Sequence, residues 1–138
     1  MEKINTLIAQ LIAICNFSKD IHYNSKGASF YGKHLLADRV QDNLNEYIDQ
    51  IKEICILGAD KETLPSSEYL KKAIELIPEI SEDDKDSFLS LKKLIIKTLK
   101  HIEGIKNLTS GESNLIGAIA QDLQNSLGLI NKQVKDGE

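Results

Sequence analysis

The distribution of proline constrains this chain more than any other feature of its sequence. Only two prolines occur, Pro65 and Pro78, and both lie near the middle of the 138 residues. Because proline disrupts the interior of a helix, the long segments on either side can be helical throughout. Their apolar residues recur at steps of three and four, the period of an amphipathic α-helix. The sequence therefore predicts an all-α chain with an interruption at its centre.

Two long helices are expected before that interruption. The first carries its apolar positions over residues 7–21 and should run for about six turns; Gly27 after it can take the positive φ that commonly ends a helix. The second begins near residue 28 or 29 and runs to about residue 57, with Gly58 as its C-terminal cap. The link between them is short, so the two helices should pack antiparallel.

The second half of the chain should contribute one short helix and two long ones. The connection 59–80 contains a periodic stretch at 66–77, which predicts a short helix. Ser81 is followed by three acids and predicts the N-cap of a third long helix, whose apolar stripe reaches Ile105. After a break at 109–111, a fourth helix carries its stripe over 115–134. One long crossover between two antiparallel pairs predicts a single ferritin-like four-helix bundle over residues 1–138.

Composition limits the function classes. The net charge is −4 and the isoelectric point is near 5.4, which disfavours a free-standing nucleic-acid binder. No apolar run approaches the ~20 residues that a membrane span requires, and the first apolar stretch lacks the features of a secretory signal. The two cysteines, Cys15 and Cys55, sit within apolar patterns and form no disulfide framework. We therefore expect a cytoplasmic protein without a membrane partner.

Potential metal ligands gather on the second predicted helix. With His34 set at zero on a helical wheel, Asp38 lies near 40°, Asp49 near 60° and Glu53 near 100°, each an approximate value from about 100° per residue. One imidazole and three carboxylates thus share one face. The apolar residues fall on the opposite face and predict a core stripe: Phe30, Leu36, Ala37, Val40, Leu44, Tyr47, Ile48, Ile51, Ile54 and Cys55.

One helix cannot place all four groups on one ion. The step from Asp38 to Asp49 is about 16 Å of helix rise, far beyond metal–ligand bonds of about 2 Å. Two copies packed antiparallel about a two-fold axis can do so, because His34 and Asp38 of one copy then face Asp49 and Glu53 of the other. His22, at the end of the first helix, should lie near His34 and complete the set. Two imidazoles with three carboxylates suit Fe(II), with Zn and Mn as rivals.

These residues resemble the Dps family of mini-ferritins. The family pattern is His-Trp-Asn-x-x-Gly, a second His twelve residues after the first, then Asp, Asp and Glu at further steps of four, eleven and four. Here it corresponds to residues 22–27 followed by His34, Asp38, Asp49 and Glu53, with Phe30 between.

The resemblance implies a catalytic ferroxidase centre shared between two subunits: His22, His34 and Asp38 come from one chain, and Asp49 and Glu53 from its partner. It implies a bundle with a short helix in the crossover, and a homo-oligomer, usually a hollow dodecamer. Such a shell oxidises Fe(II) with hydrogen peroxide or dioxygen, stores the ferric mineral and protects against peroxide stress.

Two departures from the family pattern bear on function. Tyr23 stands where the family has Trp, which keeps an aromatic wall but changes its electronic properties. The first helix begins almost at Met1, with no lysine-rich arm of the kind that binds DNA in some members, so DNA binding is not expected. An alternative reading is a non-catalytic helical assembly protein that keeps the two-fold contact and has lost iron oxidation.

Overall fold

The computed structural model describes residues 1–135, and these residues form helices and connections without a β-strand. The first helix is 23 residues long and begins at Glu2, which agrees with the expected length of about six turns. The elements in chain order are α1 (Glu2–Asn24), α2 (Phe30–Gln41), α3 (Leu44–Gln50), a π-helical turn (Ile51–Ile56), a 3-10 turn (Leu57–Ala59), α4 (Ser66–Ile74), α5 (Asp84–Glu103) and α6 (Ser110–Val134).

Helix α1 is the centre of the bundle. Thirteen of its 23 residues are buried, because it packs against α2, α4 and α5 at once. Helix α5 packs on α6, and α6 also contacts α2. Four long helical segments therefore surround one apolar core, with α4 in the crossover, as the sequence predicted.

The second predicted helix is bent and segmented rather than straight. It turns at Asn43, whose φ of −98° and ψ of 0° lie at the edge of the helical region, and then widens into the π-helical turn. The prediction that Gly58 caps its end is wrong. The chain leaves the helix at Asp60, which takes the left-handed conformation with φ 58°; aspartate adopts it more readily than most residues.

The π-helical turn also explains an error in the predicted core stripe. Most of that stripe is buried or half-buried, but Ile54 is 42% exposed. A wheel drawn at a constant 100° per residue loses phase where hydrogen bonds span five residues instead of four. Phe30, at the first residue of α2, is 40% exposed because it lies at the end of the helix pair.

The starts of α5 and α6 differ from the predicted ones. Ser81 is not the N-cap of α5: Asp83 is, and its carboxylate accepts a hydrogen bond from the Lys85 N–H at 2.9 Å. Helix α6 begins at Ser110, inside the break predicted at 109–111, because Thr109 and Glu112 form a reciprocal capping box. The Thr-x-x-Glu pattern was a sequence signal for this start.

Helix α4 is anchored to α1 through a buried tyrosine. The Tyr69 hydroxyl donates to Asn5 Oδ1 at 2.7 Å and accepts a hydrogen bond from the Leu64 N–H at 3.2 Å. The helix stops at Ile74, short of the predicted 77, with Pro78 following soon after. None of the helices within residues 1–135 is both long and apolar enough to cross a membrane.

Candidate metal centre

The two predicted histidine ligands lie where α1 ends and α2 begins. His22 is in the last turn of α1, and His34 follows the start of α2. The chain reverses between them through Gly27, with φ 78°, and Ser29, with φ 63°. The positive φ predicted for Gly27 is thus present, and this tight reversal brings His22 beside His34.

The two imidazoles stack on each other and are held reciprocally. Their ring centroids are 3.5 Å apart and their planes differ by 17°. His22 Nδ1 lies 2.8 Å from the carbonyl oxygen of His34, and His34 Nδ1 lies 2.7 Å from the carbonyl oxygen of His22. A carbonyl can only accept, so each Nδ1 must carry the proton and donate it. Both Nε2 atoms of the neutral rings then keep a free lone pair.

This arrangement is the one that metal-binding histidines ordinarily need. A ligating imidazole usually donates its other N–H to a carbonyl or carboxylate, which fixes the tautomer and the ring orientation. The lone pair of each Nε2 lies in the plane of its own ring, and the two stacked planes differ by only 17°. The two lone pairs therefore do not converge on one point, and the pair suits two adjacent ions rather than one.

Aromatic side chains surround the histidine pair. Tyr23 meets the His22 ring edge-on with centroids 4.9 Å apart, and Phe30 lies 5.2 Å from the His34 ring in a tilted contact. Tyr23 is 75% exposed despite its size. The pair thus has an apolar rim that is open to solvent in the single chain.

Asp38 lies one helical turn beyond His34 and is exposed. Its Oδ1 accepts a hydrogen bond from Gln41 Nε2 at 2.9 Å. The Gln41 Oε1 in turn accepts a long hydrogen bond from the buried Cys15 thiol at 3.9 Å. Gln41, which the sequence reasoning missed, therefore links this carboxylate to the core.

Asp49 and Glu53 stand apart from the histidines. Asp49 is exposed on α3 and Glu53 is exposed on the π-helical turn. Within residues 1–135 of the single chain, no three histidine, cysteine or acidic side chains come close enough together to hold a metal ion. The fold joins His22 to His34 and leaves the three carboxylates exposed on three successive segments, α2, α3 and the π-helical turn.

Comparison with known proteins gives one kind of match. No family model matches the sequence, and no curated protein matches it. The X-ray structure of Dps from Thermosynechococcus elongatus superposes with a TM-score of 0.78 over 99% of this chain and 92% of that chain, at 20% sequence identity. The chain has the Dps fold. The predicted all-α, ferritin-like bundle with its short crossover helix is thereby confirmed.

The Dps-like bundle contains one further cluster beside the histidine turn. Asp84, the first residue of α5, accepts hydrogen bonds at 3.0 Å from both the Lys26 N–H and the Lys33 ammonium. Burial acts to raise the pKa of Asp84, but these two donors outweigh it and hold the pKa below its usual range. No sequence motif signals this cluster, because Asp84 lies 58 and 51 residues from its partners.

Proposed function

We propose that this chain is a Dps-like mini-ferritin that binds and oxidises Fe(II) at a site between two subunits and stores the ferric product. The observation that carries the proposal is the stacked His22–His34 pair, whose reciprocal Nδ1–H bonds leave both Nε2 atoms free. The Dps fold supports it. The physiological role would be protection of the cytoplasm against peroxide, in a dodecameric shell.

The carboxylates of the site would come from both chains. Asp38 belongs to the subunit of the histidine pair, while Asp49 and Glu53 would come from a second copy packed antiparallel about a two-fold axis. Tyr31 and Leu35 precede Asp38 at helical spacing on α2, and both are exposed apolar residues. They would supply contact surface for the second copy next to the site.

The ligand types fit iron as a substrate. Imidazole nitrogens are borderline ligands that hold Fe(II), whereas carboxylates neutralise the added charge and favour the harder Fe(III). Each Fe(II) would give up one electron; hydrogen peroxide takes two electrons and two protons and yields two waters. Zn or Mn could occupy the same ligands in place of iron.

The first experiment removes one carboxylate from each half of the site. Asp38→Ala and Glu53→Ala should each abolish rapid Fe(II) oxidation, which is measured as the rise of ferric absorbance after stopped-flow mixing with peroxide. The circular dichroism spectrum of both variants should keep its helical signal. Glu103→Ala removes an exposed carboxylate from α5 and should oxidise iron at the wild-type rate. Wild-type kinetics in both site variants would contradict the proposal.

Mixing the two inactive variants tests whether the site spans two chains. A hybrid dimer has one doubly defective site and one intact site, since the intact halves come from different subunits. Random pairing after joint refolding should therefore restore about a quarter of the wild-type sites, as the symmetry of an isologous pair requires. No recovery would place the site within one chain. An oligomeric wild type without Fe(II) oxidation would favour the non-catalytic assembly protein.

A further inference from the structure

We propose that Asp84 is a positioning residue for the metal site: it fastens the turn between α1 and α2 to the start of α5 and so keeps His22 and His34 in register. The structural part of the inference rests on the contacts of Asp84. The part that concerns iron binding rests on the proposed function. Asp84 itself would touch no iron.

Asp84 holds the turn at two places. Its Oδ2 accepts from the backbone N–H of Lys26, within the turn, and from the ammonium of Lys33, on α2. The Lys33 ammonium also reaches the carbonyl oxygen of Lys26 at 3.4 Å. One carboxylate oxygen at the start of α5 therefore binds both the turn and α2.

The histidine pair depends on that register. Each imidazole bonds to the main-chain carbonyl of the other residue, so sliding α2 along α1 would break both bonds. Lys33 immediately precedes His34, and Lys26 lies in the reversal that follows His22. A contact that fixes these two lysines fixes the backbone on which both ligands rest.

A second ion pair at the same turn offers an internal comparison. Lys26 also meets Glu82 at 2.7 Å, but the two side chains are 61% and 96% exposed. In the Lys33–Asp84 pair the corresponding exposures are 19% and 11%. Exposed ion pairs contribute little because solvent and salt screen them, whereas a shielded pair with an added backbone donor is held firmly.

The test compares Asp84→Asn with two matched controls. Asp86→Asn removes the same charge from the first turn of α5, and Glu82→Gln removes the exposed pair; neither touches the Asp84 contacts. Lys33→Gln breaks the shielded pair from the other side and serves if Asp84→Asn does not fold. Hydrogen exchange of peptides covering residues 22–34, in metal-free protein, reports the register without relying on iron.

We expect exchange in this segment to rise about tenfold in Asp84→Asn and Lys33→Gln and to stay at the wild-type value in both controls. The Fe(II) concentration for half-maximal oxidation should rise about tenfold, the lower end of the range for groups that support metal ligands. The rate at saturating Fe(II) should be unchanged, because the ligands themselves remain.

Unchanged exchange in Asp84→Asn and Lys33→Gln would overturn the inference. So would faster exchange with an unchanged half-saturating Fe(II) concentration, since the contact would then be structural only. If the wild type does not oxidise iron, the proposed function is wrong, and so is the part of this inference that concerns iron. The hydrogen-exchange data would then still decide whether Asp84 fixes the register of the two histidines.

Discussion

Gly27 gives the sharpest test of how the turn between α1 and α2 is built. Its φ is 78°, and a Cβ placed there would meet nothing within 4 Å. The cost of Gly27→Ala is therefore conformational rather than steric. A left-handed conformation costs an L-residue roughly 1–2 kcal/mol, and the stiffer unfolded chain returns about 0.4–1 kcal/mol. The expected net loss is about 1 kcal/mol.

Gly117 provides a matched control in the interior of α6. A Cβ there also meets nothing within 4 Å, but the backbone is helical. Gly117→Ala should therefore stabilise the protein by roughly 0.5–1 kcal/mol. The two substitutions add the same methyl group and should shift the free energy of unfolding in opposite directions.

Urea unfolding followed by circular dichroism measures both effects, with metal-free protein at one fixed concentration because assembly adds to apparent stability. Heating should give shifts of about 3 °C downward for Gly27→Ala and about 3 °C upward for Gly117→Ala. A Gly27→Ala protein as stable as the wild type would refute the account, because the turn could then form without a left-handed residue at this position.

Two further predictions concern the core. Tyr69→Phe should lower the free energy of unfolding by about 2–3 kcal/mol in the same urea assay. The substitution leaves Asn5 Oδ1 buried without a donor and the Leu64 N–H without its acceptor. A loss below about 0.5 kcal/mol would contradict this account, because water would then have replaced the hydroxyl. Burial, helped by the Glu112 carboxylate, raises the pKa of Cys55 to about 11. Between about pH 9 and 11 the unfolded chain therefore binds fewer protons than the folded one, and stability should fall with rising pH; Cys55→Ala should weaken that fall, and an identical pH dependence would contradict it.

The helical framework could be predicted because it rests on local signals. Apolar spacing and the two central prolines, Pro65 and Pro78, were enough to predict four long helices and a short crossover helix. The π-helical turn was not predictable, because nothing in its composition distinguishes six residues of wider helix from an α-helix. That local widening accounts for the position of Ile54 outside the core.

The sequence predicted some features of the candidate site and not others. The nearness of His22 and His34 followed from helix order and a short turn, and the structure places the rings in contact. Their reciprocal bonds to each other's carbonyls depend on a register that no spacing rule specifies. The contacts of Asp84 join distant parts of the chain, and a single sequence carries no signal for such pairs.

The bent helix from α2 to the π-helical turn also sets a distance. Eleven residues separate Asp38 at its histidine end from Asp49 at its acidic end, which is about 16 Å of rise in a straight α-helix. In the proposed two-fold pair a length of this order would separate the two iron sites, far more than a metal–ligand bond of about 2 Å. No carboxylate could then ligate the iron of both sites, so each site of a dimer would keep a complete ligand set when the other is damaged.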